Sequence, residues 1–484
     1  MPDSNTVELR PVKFSRLSRR GILLSLSGAQ LASAGMAVVT FVITLYVAGA
    51  DALVWTSPLW AGGIAITWLR VAGRPVIEWA PLVAGWWRRK LAGQTIFRKR
   101  IGRPRPAGTL ALPGDASGLR QYTDPETGAV MIHDPHQATL TVVCRIEHPA
   151  FILLDPAEQE RRVSGWGRVL ATVCRSGRVS RLQVLERTLP DSGSGLTEWW
   201  QQHGHDDGSW VARTYQDLIS RAGPSGERHV TTVSLSLDLR RASRTIRTAG
   251  GGMTGSAAVL RQEMATLAAA LRAADLRPSA WCDAGEVAIM LRTAYDPAVS
   301  SALERSGTVG RDLATAGPIA VEETWDALRT DSAHHAVLWV SEWPRAQTYP
   351  GFLAPLLLAG GVRRSFTILY EPIRADVATR DIRKRKVEHL SDATQRARMG
   401  QIDDASHSAE LQDVLQQESD LVAGHGILRY TGLVSVSART PDELEAAVAQ
   451  IEQAAIQSSL ETRRLVAQQA SAFAVAALPL ARHV

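Results

Sequence analysis

Ile427-Leu428-Arg429-Tyr430-Thr431-Gly432-Leu433-Val434-Ser435-Val436-Ser437, followed by Thr440-Pro441-Asp442-Glu443, is the stretch on which the fold turns. Its aliphatic and β-branched first part predicts a strand over 427–437. Thr440, Pro441 and Glu443 then stand as N-cap, first helical position and capping-box glutamate, in that order. A helix is predicted from there to about residue 460, with a further strand over 462–468. Strand, crossover helix and strand make a split βαβ unit.

The hydrophobic period upstream changes repeatedly between strand and helix. Residues 140–146 and 179–187 predict strands; 156–174 predicts a helix with Val163, Trp166, Val169, Leu170 and Val173 on one face. Residues 197–222 read as a single helix. Val233, Leu235, Leu237 and Leu239 alternate with Ser234, Ser236 and Asp238, the pattern of a half-buried strand. Leu260, Met264, Leu267 and Leu271 mark the next helix, and 336–340 and 366–370 read as buried strands. Residues 373–423 hold no proline and one glycine, Gly400, and predict a long helix pair, a projecting arm. The soluble region is therefore expected to be α+β with a ferredoxin-like arrangement. A first subdomain covers 121–280, and a second, 281–484, carries the arm.

The N-terminal fifth is different. Between residues 21 and 69 the only charged residue is Asp51. Segment 22–50 is long enough for a tilted span and 52–69, at 18 residues, is close to the lower limit of roughly 17–25, so 21–70 is expected to be a two-helix transmembrane hairpin. Arg10, Lys13, Arg16, Arg19 and Arg20 precede it, and Arg70, Arg74, Arg88, Arg89 and Lys90 follow it. The positive-inside rule then puts the basic N-terminus (1–20) and everything after the hairpin in the cytoplasm, at the cell membrane. Trp55, Trp60, Trp68, Trp79, Trp86 and Trp87, with Arg88, Arg89 and Lys90, are the expected headgroup-interface residues. Residues 71–120 are expected to serve as an interfacial segment and a linker. Ser18-Arg19-Arg20-Gly21 also resembles a twin-arginine export signal, but its apolar run is about twice the usual 7–15 residues. The hairpin is preferred.

Charge narrows the function. Residues 1–105 contain 15 basic and 4 acidic side chains, a net +11, whereas the whole chain carries +6. The remainder is mildly acidic, which disfavours direct nucleic-acid contact. Cys144, Cys174 and Cys282 form no C-x-x-C pair, so a disulfide framework or zinc ribbon is excluded. None of the five lysines follows a glycine, which excludes a Walker-type phosphate loop. The run Gly250-Gly251-Gly252-Met253-Thr254-Gly255 formally matches G-x-G-x-x-G. About ten polar residues separate it from the strand before it, which favours a helix start over a dinucleotide site. His203, His205, Asp206 and Asp207 read as a polar loop rather than a metal site. Adjacent His334 and His335 should point to opposite faces of a strand. Arg383-Lys384-Arg385-Lys386 reads as a solvated helix face. No catalytic residue, cofactor or metal is expected, and the protein is read as a non-enzyme.

The arrangement resembles a known family. The basic-flanked hairpin is similar to the small PrgI-like membrane subunit of Gram-positive conjugation systems. Phe151-Ile152-Leu153-Leu154, Gly165-Trp166-Gly167-Arg168-Val169-Leu170 and the ending Gln468-Gln469-Ala470-Ser471-Ala472-Phe473 through Leu478-Pro479-Leu480 resemble the N-terminal, non-motor half of the VirB-type secretion ATPase. Actinobacterial conjugation proteins join these two parts in one chain. The resemblance implies a membrane scaffold for plasmid or integrative-element transfer that works with a separately encoded motor ATPase and other channel subunits. A second copy of the chain is also admitted as a partner. Phe473, Leu478 and Leu480 are the implied motor-docking anchors. The alternative from another class is an EccE-like membrane subunit of type VII secretion.

Overall fold

The computed structural model describes residues 28–71, 74–100, 102, 108–148, 150–190, 194–222, 226–300, 302–303, 313–398, 405–422 and 426–483. The basic N-terminus, the twin-arginine motif and the turn near Gly400 lie outside them. The chain divides into two compact units, 16–95 and 96–484.

In the smaller unit, α1 (Gly28–Trp68) is interrupted at Gly49, whose φ of 78° and ψ of 178° suit glycine alone. An unbroken helix of this length would run about 60 Å. Yet Gln30 Nε2 donates to the Thr67 carbonyl at 2.8 Å, Thr67 Oγ1 donates to Ser33 Oγ at 3.0 Å, and the Phe41 and Trp60 rings are 5.2 Å apart. The residues before and after Gly49 therefore lie against each other. Two short antiparallel strands, β1 (Arg70–Val71) and β2 (Arg74–Pro75), lead into α2 (Val76–Leu91).

The larger unit is built on one 13-stranded sheet, antiparallel at every pairing. The edge strand β3 (Ile96–Arg98) is followed by a first set: β4 (Arg120–Thr123), β5 (Val130–Asp134), β6 (Thr139–Glu147), α3 (Pro156–Ser176), β7 (Val179–Pro190), the helix pair α4 (Ser194–His203) and α5 (Trp210–Ala222), β8 (Glu227–Asp238), α6 (Ser243–Thr248), α7 (Gly252–Ala273), β9 (Arg277–Trp281) and α8 (Ala284–Tyr295). The second set runs β10 (Ala320–Glu323), β11 (Leu328–Arg329), β12 (His334–Glu342), α9 (Ala354–Leu357), β13 (Arg363–Ile373), the helix pair α10 (Ala375–Arg398) and α11 (Ala405–Val422), β14 (Ile427–Ala438), α12 (Pro441–Gln457), β15 (Glu461–Arg464) and α13 (Gln469–Ala476).

The two sets repeat one topology. In space the first four main strands run β9-β6-β8-β7 and the second four β15-β12-β14-β13. Each set is thus strand–helix–strand–strand–helix–strand, with a helix pair inserted between its second and third strands. The sets join where β7 pairs antiparallel with β13, Leu182 opposite Tyr370 and Arg187 opposite Ser365.

Helices α3, α7, α9 and α12 cover one face of the sheet. There Leu140, Val142 and Leu235 meet Val169 and Leu260, while Leu338, Phe366 and Val434 meet Leu444 and Ile451. The other face carries α8, the segment 110–119 and the C-terminal stretch, which bury Val143, Leu369 and Leu433. Residues 108–120 of the expected linker are accordingly more than that: Leu110, Leu112 and Leu119 belong to this core. The alternating strand is also buried on both faces over 233–237. Ser234 and Ser236 are fully enclosed, with Ser234 Oγ donating to the Pro479 carbonyl at 3.0 Å and Ser236 Oγ accepting from Thr141 Oγ1 at 3.1 Å.

The glycine run makes the corner between α6 and α7. Gly250, Gly251 and Gly252 all have positive φ, and a Cβ on Gly255 would lie 2.5 Å from the Ile246 carbonyl oxygen. Gly255→Ala is expected to cost about 1–3 kcal/mol through forced displacement of that backbone. The check is the urea midpoint of the full chain in detergent; an unchanged midpoint would mean that the corner is not packed this way.

Candidate interaction surfaces

The C-terminal stretch is small and apolar, Gln469-Ala470-Ser471-Ala472-Phe473-Ala474-Val475-Ala476, so α13 can lie close over the sheet. It runs from β12 and β14 toward the β7–β13 junction, and polar side chains of the sheet satisfy its backbone. Gln183 Nε2 donates to the Val475 and Leu478 carbonyls, each at 3.0 Å, and Gln183 Oε1 accepts from Ala481 N–H at 2.7 Å. Thr367 Oγ1 donates to the Ala476 carbonyl at 2.8 Å. Arg482 forms a buried ion pair with Asp134 at 3.1 Å.

Phe473, Leu478 and Leu480 are therefore core residues. Phe473 packs 5.1 Å from the Tyr295 ring and 4.6 Å from the His335 ring, and all three side chains are buried. This corrects the expectation that they anchor a motor. An anchor must be desolvated by its partner, and these are already desolvated by their own chain. The two histidines point to opposite faces as the strand period requires. His334 is partly exposed, whereas His335 is fully buried, with Nε2 2.8 Å from Thr330 Oγ1 and Nδ1 2.8 Å from Ser437 Oγ. Burial pushes the His335 imidazole down to about 3.

In the smaller unit, Trp55, Trp68 and Trp87 are exposed, Trp60 and Trp79 half-buried, and Trp86 buried. Arg88, Arg89 and Lys90 occupy the last turn of α2, where the helix dipole favours cations. The Arg89 guanidinium lies 5.7 Å from the Trp86 ring and the Lys90 ammonium 5.6 Å from the Trp87 ring, both within cation–π range. The interface set is thus divided, since Trp86 packs inward rather than facing out.

Both helix pairs project from the sheet. The one at 375–422 has the expected form: Ala378, Ile382 and Val414 are buried, and Lys386 pairs with Glu418 at 2.6 Å. Arg383, Lys384 and Arg385 are exposed and Lys386 is half-buried, in keeping with a largely solvated face. The other pair was read as one helix over 197–222. It breaks at 204–209, where Asp206 accepts from Gly208 N–H and Asp207 from Ser209 N–H; hydrogen bonding from the Ser209 side chain, and then from its backbone N–H, holds the Asp207 carboxyl below its usual range. His203 stacks on Trp199. Among the described residues, no group of three or more His, Cys, Asp or Glu is placed to hold a metal ion. The Cys144 and Cys282 thiols are pushed up by burial, to about 11 and about 12, so they are poor nucleophiles.

Sequence reasoning passed over the apolar surface of this first pair. Leu196, Trp199, Trp210, Val211, Tyr215 and Leu218 are all exposed, Trp210 by 72%. The signal was present: Val211, Tyr215 and Leu218 recur at i, i+4 and i+7, one face of a helix. Ala212 and Ile219 form the inward face, and Tyr215 also meets Trp200 at its edge, with ring centroids 4.9 Å apart. In comparisons with known proteins, the chain matches no family model and no curated protein.

Proposed function

We propose that this protein is a membrane-anchored, non-catalytic scaffold of a conjugative, type IV secretion-like transfer machine, holding a separately encoded motor ATPase at the cytoplasmic face. The observation that carries the membrane part is the inside-out build of α1. Its outer surface is apolar, with Met36, Val39, Ile43, Val47, Val54 and Leu59 exposed. Its inner contacts include polar and small side chains, Gln30, Ser33, Ala37, Gly63 and Thr67, beside the Phe41–Trp60 ring pair. A water-soluble helix pair would be built the other way round; lipid favours this one. The segments before and after Gly49 each hold about 20 residues, roughly the 30 Å of a bilayer core. The ferredoxin-like reading of the two strand sets is supported by their shared strand order.

Reporter fusions test the topology. Fusions after residues 105 and 484 should be active only with a cytoplasmic reporter, and activity of an exported reporter at both sites would overturn the two-span reading. The machine is tested by pull-down of the full chain from membranes in mild detergent. With Phe473, Leu478 and Leu480 in the core, motor contact falls to exposed surface outside the C-terminal stretch. Recovery of a motor ATPase is expected. Recovery of type VII secretion subunits instead would replace this reading with the EccE-like one.

A further inference from the structure

We propose that the chain self-associates head to tail, the α4–α5 pair of one copy docking on helix α10 of a second copy. The proposal stands independently of which machine the protein serves. The sheet supplies the geometry. Helix pair α4–α5 follows Pro190 and returns at Glu227, which pair at one end of β7–β8. Helix pair α10–α11 follows Ile373 and returns at Ile427, which pair at the end of β13–β14. Because β7 and β13 are antiparallel, the two helix pairs leave opposite ends of the sheet. About eleven residues of strand separate those ends, roughly 35–40 Å. A contact between the two kinds of helix pair therefore joins different copies, and a contact between unlike surfaces propagates as a ring or a filament.

The chemistry of the two surfaces is complementary. Residues 194–222 carry four carboxylates, Glu198, Asp206, Asp207 and Asp217, against Arg213 and Arg221. Helix α10 carries seven basic and four acidic residues. On its outward side Arg380, Arg383 and Val387 recur at i, i+3 and i+7, all exposed, while Ile382 faces inward. Val211, Tyr215 and Leu218, flanked by Trp210 and Asp217, offer the matching apolar stripe with acid beside it. An anionic lipid surface would repel the acidic pair, which favours the second copy as occupant. A contact between one short helix pair and one helix face lies toward the small end of specific interfaces, so assembly is expected to depend on concentration.

The test is the mass of the full chain in mild detergent, by light scattering from about 1 to 100 µM. Wild type should rise at least two-fold above the monomer mass with concentration, and less so in high salt. Arg380→Glu with Arg383→Glu should abolish the rise, as should Glu198→Arg with Asp217→Arg. The two reversals together should restore it, which a merely misfolded variant cannot do. A monomer at all concentrations overturns the proposal, as does an oligomer indifferent to both reversals. If the wild type stays monomeric but binds vesicles of phosphatidylserine and phosphatidylcholine, and Trp210→Ala with Leu218→Ala weakens that binding, the face belongs to lipid and the proposal is likewise overturned.

Discussion

Replacing Phe473 with alanine is expected to remove about 3–5 kcal/mol of folding stability, the usual cost of emptying a packed aromatic site. The ring is 1% exposed and meets Tyr295 and His335, so its loss opens space under α13 that neighbouring backbone cannot readily fill. The backbone hydrogen bonds that Gln183 and Thr367 make to this stretch depend on α13 staying seated. Trp210→Ala serves as the control. That side chain is exposed, and its removal is expected to change stability by no more than about 0.5 kcal/mol. Chemical unfolding of the full chain in detergent, followed by tryptophan fluorescence, separates the two. Equal midpoints for Phe473→Ala and wild type would mean that the C-terminal stretch is not part of the core. Any loss of a partner in the Phe473 variant then has a direct reading: it comes through unfolding, because the ring presents no surface.

The elements were more legible than their arrangement. The capping box over Thr440–Glu443 forms as its residues require, with Thr440 Oγ1 accepting from Glu443 N–H at 3.2 Å. Strands at 140–146, 179–187, 336–340 and 366–370 lie within β6, β7, β12 and β13. The helix pair after residue 373 follows from a proline-free, charge-dense run. The repetition of topology could not be read, for two physical reasons. The helix after β6 has 21 residues, whereas its counterpart after β12 has 4, so no constant spacing survives. The apolar phase also shifts between counterpart strands: Val233, Leu235 and Leu237 face the helices in β8, but in β14 Val434 and Val436 do so.

Burial of the C-terminal stretch was hidden for a related reason. An apolar ending next to a chain terminus suits an exposed anchor as well as a core segment, and periodicity does not separate them. What decides is the partner surface. Ser234 stands in an alternating strand, where polar residues read as solvent-facing, and Gln183 and Thr367 are polar residues of the neighbouring strands β7 and β13. Here they face a backbone without ladder partners and satisfy its carbonyls, so their polarity marks contact with a non-sheet segment. These polar side chains thus make burial of the stretch affordable in hydrogen bonds.

Acid is expected to weaken the fold through His335, and the hydrogen bonds around it show why. Thr330 Oγ1 has one proton, which it donates to the Tyr295 carbonyl, so it must accept from His335 Nε2–H. Nδ1 then accepts from the Ser437 hydroxyl. That network fits the neutral ring; a proton on Nδ1 would face the Ser437 oxygen and force its hydroxyl to turn, at a site with no exposure. The folded value is about 3, against 6.5 for the free side chain. Between these values the unfolded chain holds the extra proton, so the contribution is complete above about pH 6.5 and is lost as pH falls toward 3. In that window each pH unit costs about 1.4 kcal/mol for one such group. His335→Asn can keep a donor and an acceptor but does not titrate. Urea midpoints of the full chain from pH 7.5 to pH 4 should therefore fall less steeply in the variant than in wild type. Parallel curves would show that His335 carries no such shift and that other groups set the acid response.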